Sequence, residues 1–352
     1  MLQRLPLPLA QLYRRALNAK TVQERHLNAF FFWEAGLKLL ASVLVVEYAQ
    51  RGDSHPERQE YLRNLARPAL GHWWGFVKLL LPVLAERGVT GCAAQHDLLL
   101  GEPRDDLPRA AGLDTALREA LEGKAAARAT VSLGELFDRL VQYRNREIGH
   151  GAAGQRSGQF YERLGQSLLL GLAEVFTRLD VLGGRRLLYV AEVRQVQGNW
   201  LAELYELIGE TARKAEPLTW PRAEAAHLPD GERVYLARPE APLVCLHPLL
   251  IYDPETNEAA FLNGRPGKRK TEYLCYTTGQ SWRRSDLGDE QRRLLQEVLG
   301  LEVSAGQVAQ WAEEVHEEAP EESAEPLARR HLGEYELLSE LGRGGMGIVY
   351  RA

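Results

Sequence analysis

The sequence predicts an α+β chain: a helical bundle in front, a small antiparallel β-rich domain behind it, and a glycine-rich loop at the end. Three observations carry this. Apolar residues recur at helical spacing up to about residue 182. After Gly183-Gly184 the texture changes to β-branched runs separated by Asn, Gly and Pro turns. A glutamate-rich stretch then precedes a cluster of glycines.

The helical half opens weakly. Pro6 and Pro8 break the short apolar N-terminus, which makes a poor signal peptide. Thr21-Val-Gln-Glu24 is a capping-box pattern. Leu27, Phe30, Phe31, Leu37, Leu40, Leu44 and Tyr48 follow on one face, with Glu34 as the polar exception. The window Ala35–Tyr48 is the most apolar; it holds Lys38 and is shorter than the ~20 residues a bilayer span needs. Further helices are expected near Glu57–Leu65, Trp73–Arg87 with Gly88 as a stop, Asp114–Glu122, Ser132–Tyr143 and Gln159–Leu182. These elements make residues 1–182 a bundle.

Residues 183–312 read as the β-rich module with two C-terminal helices. Leu187–Val196 is a strand, Gln197-Gly198-Asn199 a turn, and Trp200–Ile208 its hairpin partner. Strands follow at Arg233–Ala237, Leu243–Tyr252, Ala259–Leu262 and Glu272–Thr277, with helices at Asp286–Leu299 and Ser304–Val315. Residues 313–330 read as an acidic linker: Glu313–Glu325 holds seven glutamates and no lysine or arginine. Residues 331–352 form the last segment.

Length and composition fit this plan. The chain has 352 residues, 45% hydrophobic and 26% charged, enough for two domains and a linker. A net charge of −5 gives no sign of a dedicated nucleic-acid or membrane binder. Cys92, Cys245 and Cys275 match neither a zinc spacing nor a disulfide framework, so buried free thiols in a reducing cytosol are expected. The expected protein is soluble and cytoplasmic, with no membrane partner.

Tyr335–Leu341 is a strand candidate, and Gly342-Arg343-Gly344-Gly345-Met346-Gly347-Ile348-Val349 fits G-x-G-x-x-G-x-V. Without Cβ atoms, glycines let a backbone fold sharply and approach phosphate oxygens. A dinucleotide-binding turn shares the glycines but needs a helix after them; Ile348-Val349-Tyr350 favours a strand. The segment resembles the glycine-rich loop of bacterial, eukaryotic-like Ser/Thr protein kinases. That resemblance covers about Tyr335–Ala352. It implies ATP bound against Leu341 to Val349, Mg in the complete kinase, and a protein hydroxyl as acceptor. The V-A-I-K lysine, H-R-D base and D-F-G metal ligand are not among the 352 residues. The chain is therefore expected to be the N-terminal, regulatory part of a larger kinase, not competent by itself.

In the helical half, Tyr143-Arg144-Asn145-Arg146-Glu147-Ile148-Gly149-His150-Gly151 resembles the R-x(4–6)-H signature of HEPN domains, small helical bundles. The resemblance implies metal-independent RNA cleavage, with His150 as acid or base and Arg144 on the scissile phosphate, in a site usually completed by a dimer. Geometry cuts against a continuous helix there. At about 100° per residue, positions six apart lie about 120° apart, and Arg146 shares a face with His150 better. The bland alternative is a helix-end cluster with Arg144 or Arg146 paired to Glu147 or Asp138.

Three functions follow as expectations. The first is the sensory region of a kinase, taking a nucleic acid, nucleotide or protein between its two modules. The second is a ribonuclease using Arg144 and His150. The third is a non-enzymatic module that oligomerises, with a homodimer formed through the helical domain. Elsewhere the functional signal is thin. Arg265, Lys268, Arg269 and Lys270 read as a solvated turn, Trp73, Trp74 and Trp200 as core or domain-interface aromatics, and His247 as structural.

Overall fold

In the computed structural model, residues 2–51, 55–123, 126–148, 156–238, 241–267, 270–284 and 288–318 are described, together with backbone strands at 331–332, 335–336, 339–344 and 347–351. The helices are α1 (Leu7–Leu17), α2 (Val22–Ala49), α3 (Pro56–Leu62), α4 (Leu70–Glu86), α5 (Cys92–Leu100), α6 (Pro108–Glu122), α7 (Leu133–Tyr143), α8 (Gly158–Arg178), α9 (Gly288–Leu299) and α10 (Ala305–Glu318). The class is α+β: these helices and two multi-stranded antiparallel sheets make up the described residues.

α2 is the axis of the fold. Thr21 caps it by accepting from Glu24 N at 3.1 Å, and the Glu24 carboxylate turns back to Lys20 N at 3.0 Å. From Asn28 to Tyr48 every residue is buried, the charged Glu34, Lys38 and Glu47 along with the apolar side chains. A helix apolar on all sides belongs in the middle of a core, and α1, α4, α8 and α9 pack around it. By length and composition α2 passes the test for a bilayer span, which Ala35–Tyr48 alone did not; its most apolar stretch is wholly buried within the fold. α8 comes very close to α2 because Gly36 has no side chain: a Cβ there would lie 2.3 Å from Phe176 Cζ.

The first sheet has the order β3-β2-β1-β5-β6, from β1 (Arg186–Val196), β2 (Asn199–Glu206), β3 (Arg213–Lys214), β5 (Arg233–Ala237) and β6 (Val244–Cys245), with β4 (Leu218–Pro221) also on β2. Its β1–β2 hairpin turns through Gln197 and Gly198, both at positive φ, as the turn signal predicted. Leu187, Tyr189, Val234 and Leu236 face the helices; Leu188, Val190, Ala202, Leu204, Tyr235 and Ala237 form a smaller cluster on the other face. The second sheet has the order β10-β9-β8-β7, from β7 (Leu250–Asp253), β8 (Glu258–Gly267), β9 (Lys270–Leu274) and β10 (Ser281–Arg284). The chain start straps onto the first sheet, with Leu7 N donating to Leu207 O at 2.9 Å and Gly209 N to Leu5 O at 2.9 Å. One apolar core runs from Leu5 to Ala312 and crosses position 183 without a break.

Several local expectations change. The single strand expected over Leu243–Tyr252 is two, β6 and β7, because Leu246–Leu249 closes a turn (Leu249 N to Leu246 O, 2.8 Å). α6 starts at Pro108 rather than Asp114, with proline at a first-turn position where its missing N–H costs nothing. α1, α5, β3, β4 and β10 carry no strong sequence signal and were not anticipated. Glu313–Glu318, read as linker, continue α10, where Gln310 Nε2 donates to Glu314 Oε1 at 2.7 Å and Val308, Trp311 and Ala312 anchor the helix by burial. The rest of the acidic stretch, 319–330, lies outside the described residues. The last strands are β11 (His331–Leu332), β12 (Tyr335–Glu336), β13 (Ser339–Gly344) and β14 (Gly347–Arg351).

Candidate functional site

The Arg…His segment begins on a well-defined helix. Ser132 caps α7 by accepting from Glu135 N at 3.4 Å, and Leu133, Leu136, Phe137, Leu140 and Tyr143 bury one face. After Tyr143 the helix widens into a π turn over Arg144–Ile148. Such turns insert a residue into the helical register and often mark functional positions. Here the turn parts neighbouring side chains. Arg146 is exposed and donates to Leu121 O at 2.6 Å. Arg144 is half-buried, and its charge is felt at Lys38 and Tyr276 in the interior. His150 lies outside the described residues, as do positions 149–155, so no Arg144–His150 geometry is described.

The pairing expected of the bland alternative holds in part: Arg146 pairs with Glu147 at 3.9 Å, while Asp138 takes other partners. Asp138 accepts from Trp74 Nε1 at 2.7 Å and Lys78 Nζ at 2.9 Å, not from the arginines. Glu147, nearly buried, is gripped by the Nε and Nη2 of Arg156 at 3.2 and 2.7 Å, with Arg146 only at 3.9 Å. Behind them Tyr143 OH meets His26 Nε2 at 2.9 Å. Burial lowers the His26 imidazole to about 4, a shift that the Glu147 charge opposes, so His26 is neutral at pH 7.

Beside this turn, α6 and α8 enclose a cleft of about 690 Å³. Arg146, Arg156 and Arg163 line it over an apolar floor that includes Phe160 and Leu164. Two of the three cations are already engaged: Arg163 with Glu119, and Arg156 with Glu147 while its guanidinium lies 5.2 Å from the Phe160 ring centroid. Arg146 keeps the greatest freedom, bound to a carbonyl rather than closely to an acid. The cleft therefore presents a modest positive edge.

A polar centre that the sequence reading passed over lies between α2 and the second sheet. Lys38 Nζ reaches Asn263 Oδ1 at 3.2 Å and sits over the rings of Tyr276 and Trp73 at 5.2 and 5.8 Å. One turn earlier, Glu34 Oε1 accepts from Tyr276 OH at 2.7 Å. Asn263 Nδ2 in turn donates to Glu272 Oε1 at 3.1 Å. Burial lowers the Lys38 ammonium to about 8 against the pull of Glu34, and burial beside Glu34 raises the Tyr276 phenol well above its ordinary value. The signal was available: Glu34 and Lys38 are charges four apart in an otherwise apolar run.

The glycine-rich segment is described as backbone. β13 and β14 pair antiparallel, with Gly342 opposite Val349, Arg343 opposite Ile348 and Gly344 opposite Gly347; Gly345 and Met346 lie outside the described residues. A strand, not a helix, follows the glycines.

His247 Nε2 is bonded to Glu290, which Arg233 also binds at 2.7 Å, in a half-buried structural cluster. Trp73 and Trp74 are core residues. Cys92 and Cys275 are buried free thiols and Cys245 is half-buried. Lys268 and Arg269 of the basic turn lie outside the described residues. Among the described residues no group of three or more His, Cys, Asp or Glu is placed to hold a metal. The chain matches no family model, no curated protein and no solved structure.

Proposed function

We propose that this chain is the regulatory N-terminal region of a Ser/Thr protein kinase whose ATP-binding lobe opens at the glycine-rich loop. The observation that carries the proposal is the strand–glycine–strand order of Ser339–Arg351. Glycines in the closing end of a two-stranded hairpin suit a flap lying over nucleotide phosphates, whereas a dinucleotide site follows its glycines with a helix. Residues Leu341–Val349 fit ATP as a lid. The lysine that grips the phosphates, the base and the Mg ligands belong to the part of the kinase that follows, so this segment alone performs no transfer. The 312 residues ahead of the acidic stretch supply a single-core platform from which α10 leads toward the kinase.

The test is phosphoryl transfer by the protein translated from the full reading frame. With γ-labelled ATP and Mg, label should appear on serine or threonine of an acceptor protein and disappear when the lysine of the third kinase strand is replaced. A frame that encodes no such lysine, H-R-D or D-F-G segment ends the proposal.

A second reading, a HEPN-type ribonuclease, draws on one feature: the arginine-lined cleft beside the Arg144–His150 segment. Residues 1–352 incubated with RNA without metal, beside His150→Ala and Arg144→Ala, test it. Cleavage lost in both variants supports the reading, and no cleavage by the parent chain retires it.

A further inference from the structure

Where α2 ends against the first sheet, two guanidinium groups bind one carboxylate and a third lies within reach of one of them. Glu47 is almost fully buried; Arg51 Nη1 donates to its Oε2 at 2.6 Å, and Arg185 Nη2 binds its Oε1. Arg185 is buried too and spends Nη1 on Leu182 O at 2.9 Å. The third guanidinium is Arg238, just past β5. Its charge acts against that of Arg185, and its Nη1 reaches Thr90 Oγ1 at 3.3 Å. Its Nε and Nη2 are buried and have no hydrogen-bond partner among the described residues.

That edge is the one this chain uses for carboxylates elsewhere. Arg14 places Nε and Nη2 on Glu210, Arg156 on Glu147, Arg186 on Glu206 and Arg104 on Asp106. A guanidinium fork matches two oxygens of a carboxylate or phosphate, and leaving it buried and empty is costly. At the Cys92 thiol the charges of Arg51, Arg185, Arg238 and Glu47 are all felt, three positive and one negative. Cys92 opens α5, whose N-cap is Gly91 with no side-chain cap, so the first-turn N–H groups add partial positive charge. The Thr90-Gly91 turn is pressed against Gly183, where a Cβ on Gly91 would lie 2.8 Å from Gly183 Cα. Helical half and sheet meet here, with Thr90 and the one-third-exposed Arg51 on the solvent side.

We propose that this junction binds an oxyanion of the phosphate class, taken by the Nε–Nη2 edge of Arg238 and flanked by Arg185 and Arg51. A dianion balances the surplus of two positive charges left after Glu47; a monocarboxylate balances half of it. The site stands apart from the glycine-rich loop and from the Arg146 cleft, and does not depend on the kinase proposal.

The experiment is thermal unfolding of the 352-residue chain at constant ionic strength, in chloride, inorganic phosphate or adenosine monophosphate. At about 20 mM phosphate the midpoint should rise by about 2–4 °C. Arg238→Met should abolish that rise and hold or raise the midpoint in chloride, since it removes a buried, unsatisfied fork. Arg238→Lys keeps the charge without the fork and should lose most of the rise while remaining folded. A larger rise with the nucleotide identifies a phosphomonoester as the occupant; equal rises identify phosphate itself. No response in the parent chain, or an undiminished one in both Arg238 variants, overturns the proposal.

Discussion

α2 carries two buried charge centres, and they are built on opposite principles. At Glu34 and Lys38 each charge meets groups that suit it: a phenol for the carboxylate, an amide oxygen and two ring faces for the ammonium. At Glu47, thirteen residues beyond Glu34, a single carboxylate is shared by two arginines and a third stands beside them with an empty fork. Burial raises the stakes at both, because a charge removed from water must find its compensation inside the protein. The first centre is closed on itself and ties the bundle to the second sheet. The second is incomplete within the described residues, and that incompleteness separates a structural network from a place built to receive something.

The comparison is broken most severely at Glu47. Glu47→Ala removes the one carboxylate between Arg51 and Arg185 and leaves the buried Arg185 facing a like charge without compensation. Loss of one member of a buried pair costs about 3–5 kcal/mol. Urea unfolding should show a loss of that size, and phosphate should restore part of it if the junction accepts an anion. At the first centre the corresponding change is milder. Tyr276→Phe keeps the ring under Lys38 and removes only the hydroxyl that donates to Glu34, which should cost about 1.5–3 kcal/mol. A double variant with Glu34→Gln should cost less than the sum of the two single changes, because both break one hydrogen bond.

How much of this was legible in the sequence follows from the range of the interactions. Local signals did well: the Thr21 cap, the Gln197-Gly198 turn and the strand after Gly347 are each set by a few adjacent residues. α5 escaped because its segment has few large apolar residues in a repeating pattern, and β10 because its only support is pairing with β9. The charge centres were legible only in half. Glu34, Lys38 and Glu47 stand out as charges in an apolar helix, but apart from Arg51 and the Trp73 ring their partners come from about 138 to 242 positions away, a distance no spacing rule spans. The Arg144 segment shows the same limit. The motif is plain in the sequence, yet the π turn that turns Arg144 inward and Arg146 outward is a consequence of packing.

The smallest expected effect distinguishes the two centres by pH. An arginine keeps its charge between about pH 7.5 and 9, so the arginines of the Glu47 junction add no slope there. Lys38 is not: burial lowers it from an ordinary 10.5 to about 8, with Glu34 and Glu272 opposing the shift and Arg144 reinforcing it. Between those values the unfolded chain binds more protons than the folded one, so stability rises with pH. The contribution is complete above about 10.5 and is lost as pH falls through about 8. Between about pH 7.5 and 9 the gain should be about 1 kcal/mol, read as a rising urea midpoint. Lys38→Met, close in shape and without the charge, should flatten that slope while leaving the response of Glu47→Ala to phosphate intact. A slope that persists in Lys38→Met would mean that another group titrates there, and would remove the reason for regarding the Lys38 centre as the self-contained member of the pair.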